Sequence, residues 1–343
     1  MVTILKEYTQ AILQPLDKNL VVEKPTYSIY KDLPPVEYAG FLSLQNEINV
    51  ANHRSRIAEL PLDLEDSCIL MAGSDGKLEK HAQSLAELVI VQNSRSESSL
   101  PLYLRQEYDY QYGRGEFRRH FTTDNTGMSE VKRLGTGEVP VSFAFRESDL
   151  VYPDRALNTV LVAGNEEIHK ATRRQALEEM GGKRALSVRI RDHLRKQYQH
   201  YHKGLETGVI RHQEVYSMNP PVQFYDENPA TLRVGFKLPI LRTVQRHLDR
   251  VIACSLRDGT LDLEEAVEQL PTTTLGKIDY LTNRGVIPEN LQIADAYIWA
   301  LQQYHYAQEA YKNSRTPVSV PYDLEKFSEY RSVVIDFTNR GNH

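Results

Sequence analysis

Apolar residues recur along this chain in two rhythms, and each predicts a different kind of element. Over 41–60, Leu44, Ile48, Ala51 and Ile57 fall near the helical period until Pro61 ends the pattern, which predicts a helix. Short unbroken apolar runs follow: 67–72, ending in the Gly73-Ser74 turn, and 87–91, with further candidates at 141–145 and 159–163. Such runs read as buried strands, and strands bracketed by helices point to an α/β unit. Upstream, Pro15, Pro25, Pro34 and Pro35 punctuate the first 40 residues and predict an extended lead-in. The polar stretch 93–137, rich in Ser, Arg, Tyr and Gly, reads as an insertion with a hairpin.

Beyond Gly164 the helical rhythm takes over. Helices are predicted over 166–179 and 185–203, the second carrying Arg189, Arg191, His193, Arg195, Lys196, His200, His202 and Lys203, a run read as a solvated face in preference to an anion or partner surface. Another is predicted over 238–256, with Pro239 in its first turn and Ile240, Leu241, Val244, Leu248, Val251 and Ile252 at helical spacing. Thr272 to Thr274 can cap the next segment, Gly285 sits where a C′ glycine belongs, and a long helix to Tyr311 carries Ile293, Tyr297, Ile298, Leu301 and Tyr304. The expected organisation is an arm and helix (1–60), an α/β domain (61–175) and a mainly helical domain (176–343).

Charge and composition narrow the function classes. With 41 Lys+Arg against 46 Asp+Glu the formal net charge is −5, which argues against a general nucleic-acid binder. No run approaches the ~20 apolar residues of a membrane span, so no membrane partner is expected. Cys68 and Cys254, far apart, suit neither a disulfide scaffold nor a CxxC metal site. The opening residues show no Sec-type signal, so a cytoplasmic protein is expected, with non-Sec export invisible to this test.

Candidate chemistry is densest over 68–91. A Gly73-Ser74 turn after a strand lets backbone N–H groups approach phosphate oxygens, and the Ser74 hydroxyl adds a donor; by itself such a pair is more often only a tight turn. Lys237 and Arg242, at a helix start, suit either a phosphate or surface pairing. The 11 histidines show no zinc-site spacing, and there is no GxSxG elbow, Walker A loop or kinase signature. The 20 tyrosines suit either half-buried packing or a partner surface.

The run Gly76-Lys77-Leu78-Glu79, then Ser84 and Glu87-Leu88, resembles the signature of the polymerase-β-type nucleotidyltransferase superfamily, specifically its PII-uridylyltransferase-like group. That signature is a Gly-Gly or Gly-Ser turn, Gly-Arg-x-Glu, then Ser-Asp-x-Asp-Leu. Downstream, 156–165 is similar to the family's third strand, 235–250 to its lysine-plus-arginine helix start, and 273–312 to its closing helix pair. The resemblance implies an α+β fold, a mixed-sheet α/β domain followed by an α-helical domain. It also implies a phosphate cradle of Gly73, Ser74, Lys77 and Ser84 with Lys237 and Arg242, and Mg²⁺ bound with a nucleoside triphosphate.

In that family, carboxylates two apart on one strand hold two metal ions around the transferred phosphoryl group. Here the first acid is replaced by Leu85, the second is Glu87, and the third-strand acid corresponds to Asn158; the family's arginine is Lys77. Glu87 is left as the catalytic carboxylate and metal ligand, with Glu79, Asp75 or Asp154 as the available second acid. Two functions follow as expectations. One is a degenerate nucleotidyltransferase-fold protein that binds a nucleotide or a protein partner in a regulatory role. The alternative is an active metal-dependent enzyme moving NMP from ATP or UTP to a protein or small-molecule hydroxyl. Leu85 and Asn158 favour the first.

Overall fold

The computed structural model describes residues 33–65, 67–72, 77–79, 88–92, 132–133, 157–182, 223–224, 240–289, 291–314, 319–320 and 323–340. The chain divides into two units, each discontinuous in sequence: Leu42–Arg184 with Ala253–Tyr280, and Met1–Phe41 with Ala185–Ile252 and Leu281–His343.

The first unit is built on a four-stranded sheet of β1 (Ser67–Met71), β2 (Leu88–Gln92), β3 (Lys132–Arg133) and β4 (Val160–Gly164), in the order β3-β2-β1-β4. β1 is antiparallel to β2 and to β4, and β3 is parallel to β2. As an interior strand β1 is buried at all five positions, which is why 67–71 reads as an unbroken apolar run rather than an alternating one. Ile69 and Met71 meet Val50 and Ile57 of helix α1 (Pro35–Ala58), together with Leu60 and Val162, in one apolar cluster. Helix α2 (Glu166–Gly182) packs on β1 and β2.

Gly164 ends β4 at φ 95°, with the Ser67 carbonyl 2.3 Å from where a Cβ would stand, so a side chain there meets both a backbone clash and the left-handed penalty. Asn165 then turns the chain into α2: its N–H donates to Ser67 O and its amide to Glu65 O, while its side-chain oxygen accepts the Glu167 N–H.

α1 corrects the expectation of an extended lead-in through residue 40. It starts at Pro35, because a proline at the first helical position gives up only an N–H that has no intrahelical partner, and Pro34 O accepts the Tyr38 N–H at 2.9 Å. The expected strand at 141–145, most of the insertion and the basic helix at 185–203 lie outside the described residues.

The second unit is helical where described, apart from the short antiparallel pair β5 (Gln223–Phe224) and β6 (Ser319–Val320). Helix α3 (Thr243–Arg257), preceded by a π-helical turn at Ile240 to Arg242, buries Ile240, Leu241, Val244, Leu248 and Ile252 of the predicted stripe and leaves Val251 half-buried. It is followed by α4 (Leu263–Gln269), α5 (Thr274–Asn283), α6 (Leu291–Ser314) and α7 (Leu324–Arg340). α4 and α5 up to Tyr280 belong to the sheet unit.

Thr273 caps α5 by accepting Gly276 N–H on its hydroxyl and Lys277 N–H on its carbonyl, both at 3.0 Å, and Gly285 follows with φ 67° and a bond to Thr282 O. In the helical unit, Gln245 donates to Tyr297 at 2.7 Å, the Trp299 ring packs at a tilt against Tyr330, and Tyr38 is hydrogen-bonded to His305.

Burial pushes the Cys68 thiol up to about 12, whereas Cys254 is only half-buried. Native protein treated with iodoacetamide at pH 8 should therefore be modified at Cys254 alone, and Cys68 should follow only in denaturant. Mass spectrometry of the native digest checks this, and rapid native labelling of Cys68 would contradict the buried sheet.

Candidate functional site

Met71 at the end of β1 pairs with both Leu88 at the start of β2 and Val160 at the start of β4, so one end of the sheet gathers three chain entries or exits. Residues 157–159, leading into β4, are each pinned from a helix. Arg173 of α2 donates to Leu157 O at 3.1 Å and to Leu270 O at 2.5 Å. The Lys277 ammonium of α5 donates to the Asn158 side-chain oxygen, and His169 of α2 shares a 3.0 Å hydrogen bond with the Thr159 hydroxyl. Leu157 and Asn158 have no exposed surface, and Lys277 and Arg173 are buried beside them. Cationic side chains are rarely placed so deep unless they satisfy specific acceptors, as these do.

The segment Lys77-Leu78-Glu79 follows β1 in the chain and joins the same arrangement. Glu79 is buried, and its Oε1 accepts the Thr274 N–H at 2.9 Å, laying a carboxylate on the positive end of α5. Leu78 between the two charges has φ 53°, a left-handed conformation that costs a non-glycine residue ~1 kcal/mol or more. Its side chain packs on the cluster around Ile69 and Met71, and that burial together with the Glu79 bond offsets the strain. Lys77 is buried as well.

His169 is held down to about 4, mainly by desolvation and then by the neighbouring Arg173, against the Thr159 bond and Glu166. Burial also lowers Arg173, with Glu268 opposing. Outside the pinned segment, Arg174 pairs with Glu264, and Lys170 reaches Glu166, Glu167 and Glu268, tying α2 to α4 at the surface.

Of the residues singled out in the sequence, Glu79 and Asn158 are both bonded to α5, and Lys77 is buried two positions before Glu79. Arg242 belongs to the helical unit and donates to Gln245 at 3.2 Å. Gly73, Ser74, Asp75, Ser84, Leu85, Glu87, Asp154 and Lys237 lie outside the described residues. Sequence reading missed Lys277 and Arg173, and took Thr274 only as part of a helix cap. The signal for Lys277 was positional: with Thr274, Ile278 and Leu281 it forms one buried stripe on α5, a charged side chain at the spacing of core residues.

Magnesium, which the family resemblance implies, takes oxygen ligands, carboxylates above all. The described residues here do not fit it: Glu79 faces a helix N-terminus, and Asn158 is uncharged and accepts from an ammonium. Among the described residues no three His, Cys, Asp or Glu side chains converge as a metal site. Among the same residues, no helix is long and apolar enough to cross a membrane. No family model and no curated protein sequence matches the chain.

Proposed function

We propose that this chain is a nucleotidyltransferase-like protein that has lost its two-metal chemistry and serves as a regulatory module binding a nucleotide. One observation carries the reading: at Asn158, where the resemblance calls for a metal-binding carboxylate, there is instead a neutral amide engaged by the buried Lys277 ammonium. Leu85, at the position of the first family acid, supports it. With one carboxylate replaced by leucine and another by an amide bonded to a cation, the electrostatic grip on two divalent ions is gone. What the resemblance leaves in place is the cradle of Gly73, Ser74, Lys77 and Ser84, whose backbone and ammonium donors suit phosphate oxygens without a metal.

Binding and chemistry are separable by experiment. Each of the four ribonucleoside triphosphates is added to the protein in EDTA and in excess Mg²⁺. At least one should raise the Tm equally in both, since stabilisation by a ligand follows its affinity for the folded state. Lys77→Met should reduce that shift by more than half. Incubation of the protein and a lysate with α-labelled ATP or UTP and Mg²⁺ or Mn²⁺ should transfer no label. Transfer abolished by Glu87→Gln would establish the active enzyme instead.

A further inference from the structure

We infer that the Lys277 ammonium is the resident cation of this sheet end: it occupies the place a divalent ion would need beside Asn158 and keeps divalent ions out. The inference deepens the proposed function and rests on it for the identity of the bound anion, but the exclusion of metal is a property of residues 158 and 277 themselves.

An ammonium has donors and no acceptor, and the Asn158 oxygen is an acceptor that both an ammonium and a metal ion compete for. A magnesium or manganese ion on that oxygen sits about 2.1 Å from it, hence within roughly 5 Å of an ammonium already bonded to the same atom. Two like charges at that separation repel strongly when both are out of water.

Lys277 has little means of yielding. It lies in the buried stripe of α5 with Thr274, Ile278 and Leu281. The Glu79 carboxylate holds the α5 N-terminus at Thr274, and Arg173 ties Leu270, just before α5, to Leu157, just before Asn158. The cation and its acceptor are therefore fixed by separate contacts. Restoring the carboxylate alone changes nothing for a metal, because Asp at 158 pairs with the lysine already there. A site that carries its own fixed cation accepts phosphate as the metal-free anion rather than as the magnesium complex.

The test is Mn²⁺ titration of the full chain followed by EPR, with wild type, Asn158→Asp and Asn158→Asp/Lys277→Gln compared. Wild type and Asn158→Asp should leave the free-Mn²⁺ signal unchanged up to about 1 mM Mn²⁺, and the double variant should bind with a Kd at least about tenfold below that concentration. The inference is overturned if either Asn158→Asp alone or wild type binds Mn²⁺ as tightly as the double variant. It is equally overturned if the double variant, folded by circular dichroism, gains nothing. Asn158→Asp is nearly isosteric, so its comparison with wild type stands even where the double variant fails to fold. Nucleotide binding by wild type in EDTA separates the two claims. Loss of that binding with the Mn²⁺ pattern intact defeats the regulatory reading alone, and the reverse defeats the resident cation alone.

Discussion

Replacing Arg173 by Met should lower the stability of the sheet unit by about 3–5 kcal/mol, the largest effect expected of any single substitution in the described site. The guanidinium makes two charge-assisted bonds, to Leu157 O and Leu270 O, and both of those residues are buried. Hydrogen bonds to charged groups contribute ~1.5–3 kcal/mol each, and removing the donor leaves two carbonyls without that partner in a place water does not reach. Met fills much of the aliphatic volume, so the loss is of bonding rather than of packing. Arg173→Lys should recover less than half, because an ammonium cannot span both carbonyls as a planar fork does. Urea unfolding followed by far-UV circular dichroism measures this, and a loss below ~1 kcal/mol would show that Arg173 is not the tie between the lead into β4 and the lead into α5.

Acid should weaken both units, through the partly buried His169 in the sheet unit and the buried His247 in the helical unit. His169 is held to about 4, and His247, in the helical unit, to about 3 by burial and by Arg250. His247 is 1 % exposed, packs edge-on against Phe337 at 4.6 Å, and its Nδ1 has no hydrogen-bond partner. In the unfolded chain both histidines take up a proton near 6.5.

Below that value the unfolded state binds more protons than the folded one, so stability is complete above pH 6.5 and falls as pH drops towards the folded values. The slope is ~1.4 kcal/mol per pH unit for each histidine, or about 2 kcal/mol from each unit by pH 5. Thermal melts at pH 7.5, 6 and 5 should show the decline. His247→Leu should remove the part of the slope that belongs to the helical unit, and a Tm constant from pH 7.5 to 5 would contradict the neutral state of both rings.

How far the sequence disclosed this structure depended on whether the decisive contact was local. β1 was legible because a strand buried on both faces leaves a run such as Cys68-Ile69-Leu70-Met71 that few other contexts tolerate. The α3 stripe and the Thr273 and Gly285 ends of α5 were legible for the same reason, since capping and helical period are properties of neighbouring residues. α7 carried no such flag, and the start of α1 was obscured by Pro34 and Pro35, whose tolerance at a first turn looks in sequence like a break.

The site was less legible because its ties span long separations. Glu79 to Thr274 and Asn158 to Lys277 each join residues more than a hundred positions apart, so Glu79 read as a free metal ligand and Lys277 as part of an ordinary capped helix. The grouping of 253–280 with the sheet is of the same kind: nothing in those residues distinguishes a helix that packs on a distant unit from one that packs on its sequence neighbours.

Crystals grown with a nonhydrolysable nucleoside triphosphate and excess Mn²⁺, measured at the manganese absorption edge, would reveal which cation stands beside Asn158. Triphosphate density beside residues 73–77, with the Lys277 ammonium still on Asn158 and no anomalous peak between them, is the result predicted. Two anomalous peaks bridging the phosphates to Glu87 would contradict it.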